Sequence, residues 1–155
     1  MQQIVSGIEM LRQVRAVVKR NIADLSDEQL LVIPEGFRNN ILWNVGHLVV
    51  TQQTLLYRLS GQEMYVGSDL VDRFRKGTSP ADWTETPDAD RLKALLTELP
   101  ERLPEDYANG RFANFQEYQT STGPLLQDIG DGIAFNNFHE GLHLGVIQSM
   151  KKLIA

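Results

Sequence analysis

At 155 residues, with 42% apolar and 23% charged side chains, the chain has the make-up of one globular domain, spanning 1–155, that can bury a core without staples. Its 15 Lys and Arg are scattered against 20 Asp and Glu, for a net charge of -5, which argues against nucleic acid as the main partner. There is no cysteine, so disulfides, thiolate metal sites and an internal thiol nucleophile are all excluded: a metal must be held by His and carboxylate, and a thiol must come from outside.

The start of the chain, Met1 to Val5, lacks the basic segment, apolar run and small-residue cleavage site of a signal peptide. Apolar stretches such as Ile41 to Val50 are interrupted by Asn44, Gly46 and His47 and are too short to span a bilayer. A cytoplasmic location without a membrane partner is the expectation.

Helical spacing of Ile4, Ile8, Leu11, Val18, Ile22 and Leu25 predicts a first long helix from about Ile4 to Leu25, with Arg15 interrupting its apolar stripe. Ser26-Asp27-Glu28-Gln29 has the form of a capping box and opens a short helical turn that Pro34 stops. A second long helix is predicted from Ile41 to about Ser60, ended by Gly61 and apolar over more than half its circumference, hence largely buried. The periodicity then fades through Gly67, Gly77, Pro80 and Pro87, a long connection with a short helix around Leu70 to Phe74. Arg73, Phe74, Arg75 and Lys76 are expected in a solvated loop, with Asp69 and Asp72 among the cations.

Thr86-Pro87-Asp88 predicts an N-cap at Thr86 with proline in the first turn, opening a third long helix that carries Leu92, Leu95, Leu96, Leu99 and Leu103. Pro100 inside that stripe predicts a kink or division. Residues 109–124 read as an irregular connection with brief extended structure. The last helix is predicted from about Ile129 to Ile154, where Gly130, Gly132, Gly141 and Gly145 suit close packing against a neighbour. Four long helices with long connections make an all-α four-helix bundle.

The chain contains 3 histidines, and each lies in an apolar helical stretch where an unpaired imidazole would be costly. His139 and His143 are four residues apart, which puts both rings on one face one turn apart. His47 lies on the second long helix with Trp43, Val50 and Tyr57 near it. Together they predict a site for one divalent cation between the second and fourth long helices: zinc or nickel first, iron or manganese also compatible with imidazole. Three neutral nitrogens leave positions open for substrate, as in catalytic sites. The competing reading, three hydrogen-bonded core histidines, carries less weight.

His139-Glu140-Gly141-Leu142-His143 also matches the zinc-protease motif, which makes Glu140 a candidate catalytic base. Such proteases take a third ligand downstream, and no His, Asp or Glu follows His143. For Glu140, a solvent-facing carboxylate or one supporting a ligand from outside is favoured over the general base. Asn44, Asn136 and Gln148 are candidates to hydrogen-bond the imidazoles, and Trp43 and Tyr57 to line a pocket or simply to fill the core.

Ile41-Leu42-Trp43-Asn44-Val45-Gly46-His47-Leu48 and Asn136-Asn137-Phe138-His139-Glu140-Gly141-Leu142-His143-Leu144-Gly145-Val146-Ile147 together resemble the DinB/YfiT-like superfamily. The likeness covers nearly the whole chain in helix order, and its specific part is confined to those two segments. It implies a four-helix bundle and metal ligation by His47, His139 and His143. It also implies activities found among relatives: transferases using bacillithiol or glutathione, and mycothiol-dependent isomerases. A thiol-dependent transferase acting on a small molecule, with a low-molecular-weight thiol as cosubstrate, is therefore the first expectation. A non-catalytic metal-binding or stress-associated bundle and a metal-dependent hydrolase are the alternatives. The resemblance also suggests a homodimer.

Overall fold

The computed structural model describes residues 2–154. In chain order they form α1 (Gln2–Ile22), α2 (Asp27–Leu31), α3 (Ile41–Leu56), α4 (Ser68–Phe74), α5 (Ala89–Ala108) and α6 (Ile129–Ile154), with a minimal hairpin of β1 (Tyr118–Gln119) and β2 (Leu125–Leu126) before α6. The four long helices form the bundle. None of the helices among the described residues is long and apolar enough to cross a membrane.

Local chemistry sets most boundaries. Ser26 and Gln29 form the reciprocal capping box that opens α2. Asn40 caps α3, its Oδ1 accepting from the Trp43 N–H at 2.8 Å. The first helix stops at Ile22 rather than Leu25. The α-helical part of the second stops at Leu56, and a 3-10 turn over Arg58–Ser60 continues it to Gly61, whose φ of 67° closes the end. Asp88, not Thr86, caps α5 by accepting from the Arg91 N–H at 2.9 Å, so Pro87 stands before the helix.

Helix α5 runs unbroken through Pro100, contrary to the expected division. Proline there removes the donor that the Leu96 carbonyl would use, and the buried Arg15 side chain of α1 reaches that carbonyl at 3.4 Å instead.

The order of packing matters for everything that follows. α1 and α3 each pack on both α5 and α6. Asn137 of α6 donates to the Gly7 carbonyl and Lys151 to that of Asn21, so α1 and α6 run in the same direction. Arg12 meets Glu101 while Arg15 reaches Leu96, and Asn44 meets His143 while His47 meets His139, which makes α5 antiparallel to α1 and α3 antiparallel to α6. The bundle is thus up-down-down-up, with α1 diagonal to α3 and α5 diagonal to α6. In a bundle whose sequence neighbours are all spatial neighbours, the second and fourth helices would face each other across the core. Here they touch, and residues 57–88 carry the chain back alongside α3, with α4 packed on it.

Of the glycines expected to admit close packing in α6, Gly130 and Gly132 do so: a Cβ would meet the Ile4 side chain of α1 at 3.3 Å at the first and the Phe115 ring at 3.0 Å at the second. Gly141 and Gly145 face outward with nothing within 4 Å, so close packing is not their role. The tightest approach is at Gly46 of α3, where a Cβ would lie 2.3 Å from the Phe74 ring of α4.

Candidate metal centre

Because α3 and α6 touch and run antiparallel, His47 meets His139, and Asn44, one turn earlier on α3, meets His143. Nε2 of His47 lies 3.1 Å from Nε2 of His139, and ring nitrogens of all three histidines lie within 4.8 Å of one another. Two nitrogens bound to one tetrahedral zinc at about 2.1 Å stand about 3.4 Å apart, so this spacing suits a shared ion.

Two of the three outward nitrogens are already committed. Nδ1–H of His47 donates to the Phe74 carbonyl at 2.7 Å, which leaves the Nε2 lone pair free for an ion. Nδ1–H of His143 donates to Oδ1 of Asn44 at 2.7 Å. The Asn44 amide is oriented by its own donation to the Asn40 carbonyl at 2.8 Å, so its oxygen must face the ring. His139 keeps a buried Nδ1 without a partner.

Burial favours neutral rings throughout. It depresses His139 to about 3, helped by repulsion from His143, His47 and Arg15. It depresses His143 to about 4, with His47 adding to the effect. His47 is also lowered, chiefly by burial, although its bond to Phe74 opposes the shift. Near neutral pH the site therefore presents unprotonated imidazoles, the form a cation needs. The donor set fits a divalent ion with open positions.

Trp43 stacks on His47, centroids 4.7 Å apart and planes 10° from parallel, and its Nε1–H donates to Thr78 at 3.0 Å. Oγ1 of Thr51, one turn beyond His47, lies 3.4 Å from Nε2 of that ring. Trp43 is thus a wall of the site, whereas Tyr57 belongs elsewhere: it is fully buried and donates to Asp106 at 2.6 Å. Asn44 serves an imidazole as expected. Asn136 instead donates to Glu140 at 3.4 Å, and Gln148 lies exposed on α6.

Glu140 does not face solvent. It is fully buried, and its two oxygens each accept from Arg15 at 2.7 Å. Burial pushes its carboxyl up, against the pull of Arg15. Neighbours along a helix are splayed by about 100°, and Glu140 stands outside the group of nitrogens that could share an ion.

The expectation for Arg73 to Lys76 needs a similar correction. Phe74 closes α4 with its ring fully buried, and its carbonyl orients His47. Only the flanking cations reach outward, Arg73 to Glu85 and Lys76 to Ser121. Arg15 did carry a sequence signal, a charge at an inward position of an apolar stripe. The Phe74 carbonyl carried none, since any residue supplies that atom.

A family model for the DinB superfamily matches residues 10–147. Among solved structures, YfiT from Bacillus subtilis is similar, with a TM-score of 0.65 at 19% identity over 98% of this chain and 87% of that one. That protein is described as a probable metal-dependent hydrolase with an unusual four-helix bundle topology. No curated protein matches the chain. With the match extending through all four long helices and all three histidines, the chain belongs to the DinB superfamily.

Proposed function

We propose that the protein is a divalent-metal enzyme that activates an external low-molecular-weight thiol for transfer to a small electrophile. The observation that carries this reading is the pairing of three neutral imidazoles with a neighbouring carboxylate that Arg15 holds inside the core. A divalent cation in such a site lowers the pKa of a nucleophile that approaches it. A thiol starts near pKa 8.5 and water near 15.7, so the thiol depends far less on a protein base. Glu140, the one carboxylate next to the ligands in sequence, is committed to Arg15. With 0 cysteines in the chain, the thiol must be a second substrate.

The chain's own contribution is positional. Phe74 and Asn44 fix the tautomers of His47 and His143, Trp43 excludes water from one side of His47, and Thr51 places a hydroxyl beside its Nε2. The second reading is hydrolysis. It is supported by the likeness to YfiT and by the suitability of a three-imidazole set for water activation.

Cobalt substitution separates the two. A sulfur-to-cobalt charge-transfer band should appear when glutathione, bacillithiol or mycothiol is added, and should weaken as acidity protonates the thiol. No band with any of the three, together with ester or amide hydrolysis by the loaded protein, would move the assignment to the hydrolase.

A further inference from the structure

Arg15 sits at an inward position of α1 that the surrounding stripe fills with Ile8, Leu11, Val18 and Ile22, and its side chain is fully buried. Its Nε and Nη2 donate to the two oxygens of Glu140 on α6, each at 2.7 Å. Nη2 also donates to the Leu48 carbonyl of α3 at 2.8 Å, and Nη1 reaches the Leu96 carbonyl of α5 at 3.4 Å. One guanidinium therefore bonds all three of the other long helices. Its two firm attachments fall at equivalent places: Leu48 follows His47, and Glu140 follows His139. Those are the two histidines whose Nε2 atoms stand 3.1 Å apart.

We propose that the Arg15–Glu140 pair is a positioning device for the metal centre, fixing the separation and register of the His47 and His139 backbones through the residue that follows each. The proposal rests on the reading of the histidines as metal ligands. Holding the bundle together does not require these charges, since a well-packed apolar pair in the same volume often stabilises a fold as well or better. What an apolar pair lacks is direction. A planar guanidinium bonded at 2.7–2.8 Å to a carboxylate on one helix and a carbonyl on another leaves neither helix free to slide or rotate. Arg15 and Glu140 are thus positioning residues, and Glu140 acts through the fold and not as a base.

The test compares wild-type protein with the double variant Arg15→Met/Glu140→Leu, both stripped of metal and titrated with cobalt against a chelator. Titration at a temperature well below the melting transition measured for each protein separates affinity from stability. The metal-free double variant should melt near the metal-free wild type, bind cobalt about 10- to 100-fold more weakly and show an altered visible spectrum. Unchanged affinity and spectrum in the folded double variant would overturn the proposal. Should that variant not fold, Arg15→Lys serves: it keeps the cation beside Glu140 but loses the fork, and about a tenfold loss of cobalt affinity is expected. Wild-type affinity and spectrum in Arg15→Lys would likewise overturn it. Wild-type protein that takes up no cobalt removes the metal centre itself, and with it this role for the pair.

Discussion

Gly46→Ala should cost the protein both stability and metal affinity, although alanine is the better helix former. The added Cβ would lie 2.3–2.5 Å from three atoms of the Phe74 ring, against the 3.4 Å at which ordinary contact begins. The ring must therefore retreat by about 1 Å. It has little freedom to turn aside, being fully buried with its edge against Trp83, centroids 5.5 Å apart. The movement then falls on α4, whose last carbonyl holds Nδ1–H of His47 at 2.7 Å. Opened by about 1 Å, that bond is lost and the ring is no longer aimed. Overpacking of this kind costs about 1–3 kcal/mol, and the gain in helix propensity returns about 1 kcal/mol. Loss of the group that orients a ligand weakens metal binding by about 10- to 100-fold. Thermal melting with a cobalt titration reads both effects. Adding Phe74→Leu, which shortens the obstructing side chain, should restore part of each. A melting point that rises with no change in affinity would refute the reasoning, because an unobstructed helical site responds to alanine in that way. Gly141→Ala, where nothing lies within 4 Å, is the matched control and should stabilise the protein by about 0.5–1 kcal/mol.

His47→Ala, His139→Ala and His143→Ala should each lower bound metal sharply while far-ultraviolet circular dichroism stays helical; stoichiometric metal in all three would dismiss the triad. Acidification should destabilise the metal-free protein. His139 and His143 are depressed to about 3 and about 4 from 6.5, so the unfolded chain takes up protons first, and stability present above pH 6.5 drains as pH falls toward 4. A melting point that holds steady from pH 7 to 4.5 would contradict the burial of these rings. Asp106→Ala should cost about 1–3 kcal/mol by stranding the buried Tyr57 hydroxyl and freeing Tyr65 and Arg111. Metal affinity should not change, since Tyr57, the residue that follows α3, is ten residues from His47, about 15 Å at helical rise; a parallel fall in cobalt binding would show that the two ends of the bundle are coupled.

The long helices were legible because their apolar stripes repeat at helical spacing, and the histidine triad because 3 imidazoles in buried stretches have few other uses. Boundaries slipped where competing caps lay close together, as with Thr86 and Asp88. Arg15 looked like an interruption because its partner lies 125 residues away, and no local pattern links an odd residue in one stripe to an odd residue in another. The same gap hid the intact α5: the donor that reaches the Leu96 carbonyl orphaned by Pro100 comes from α1. Glu140 was drawn toward chemistry by its place in a short motif, whereas helix geometry turns it from the ligands on either side.

The position of the ligands along the chain has a kinetic consequence. His47 and His139 are separated by 92 residues and belong to α3 and α6, helices that must pack on each other before the site exists. No segment that ends before α6 contains the three histidines, so a cation cannot meet the full ligand set until the last helix has docked on α3. Contacts of such long sequence separation form late. Interactions absent from the folding transition state slow unfolding and leave the folding rate almost untouched. Metal bound by these histidines would accordingly be a lock on the finished bundle rather than a seed for it, lengthening the lifetime of the native state without hastening its arrival.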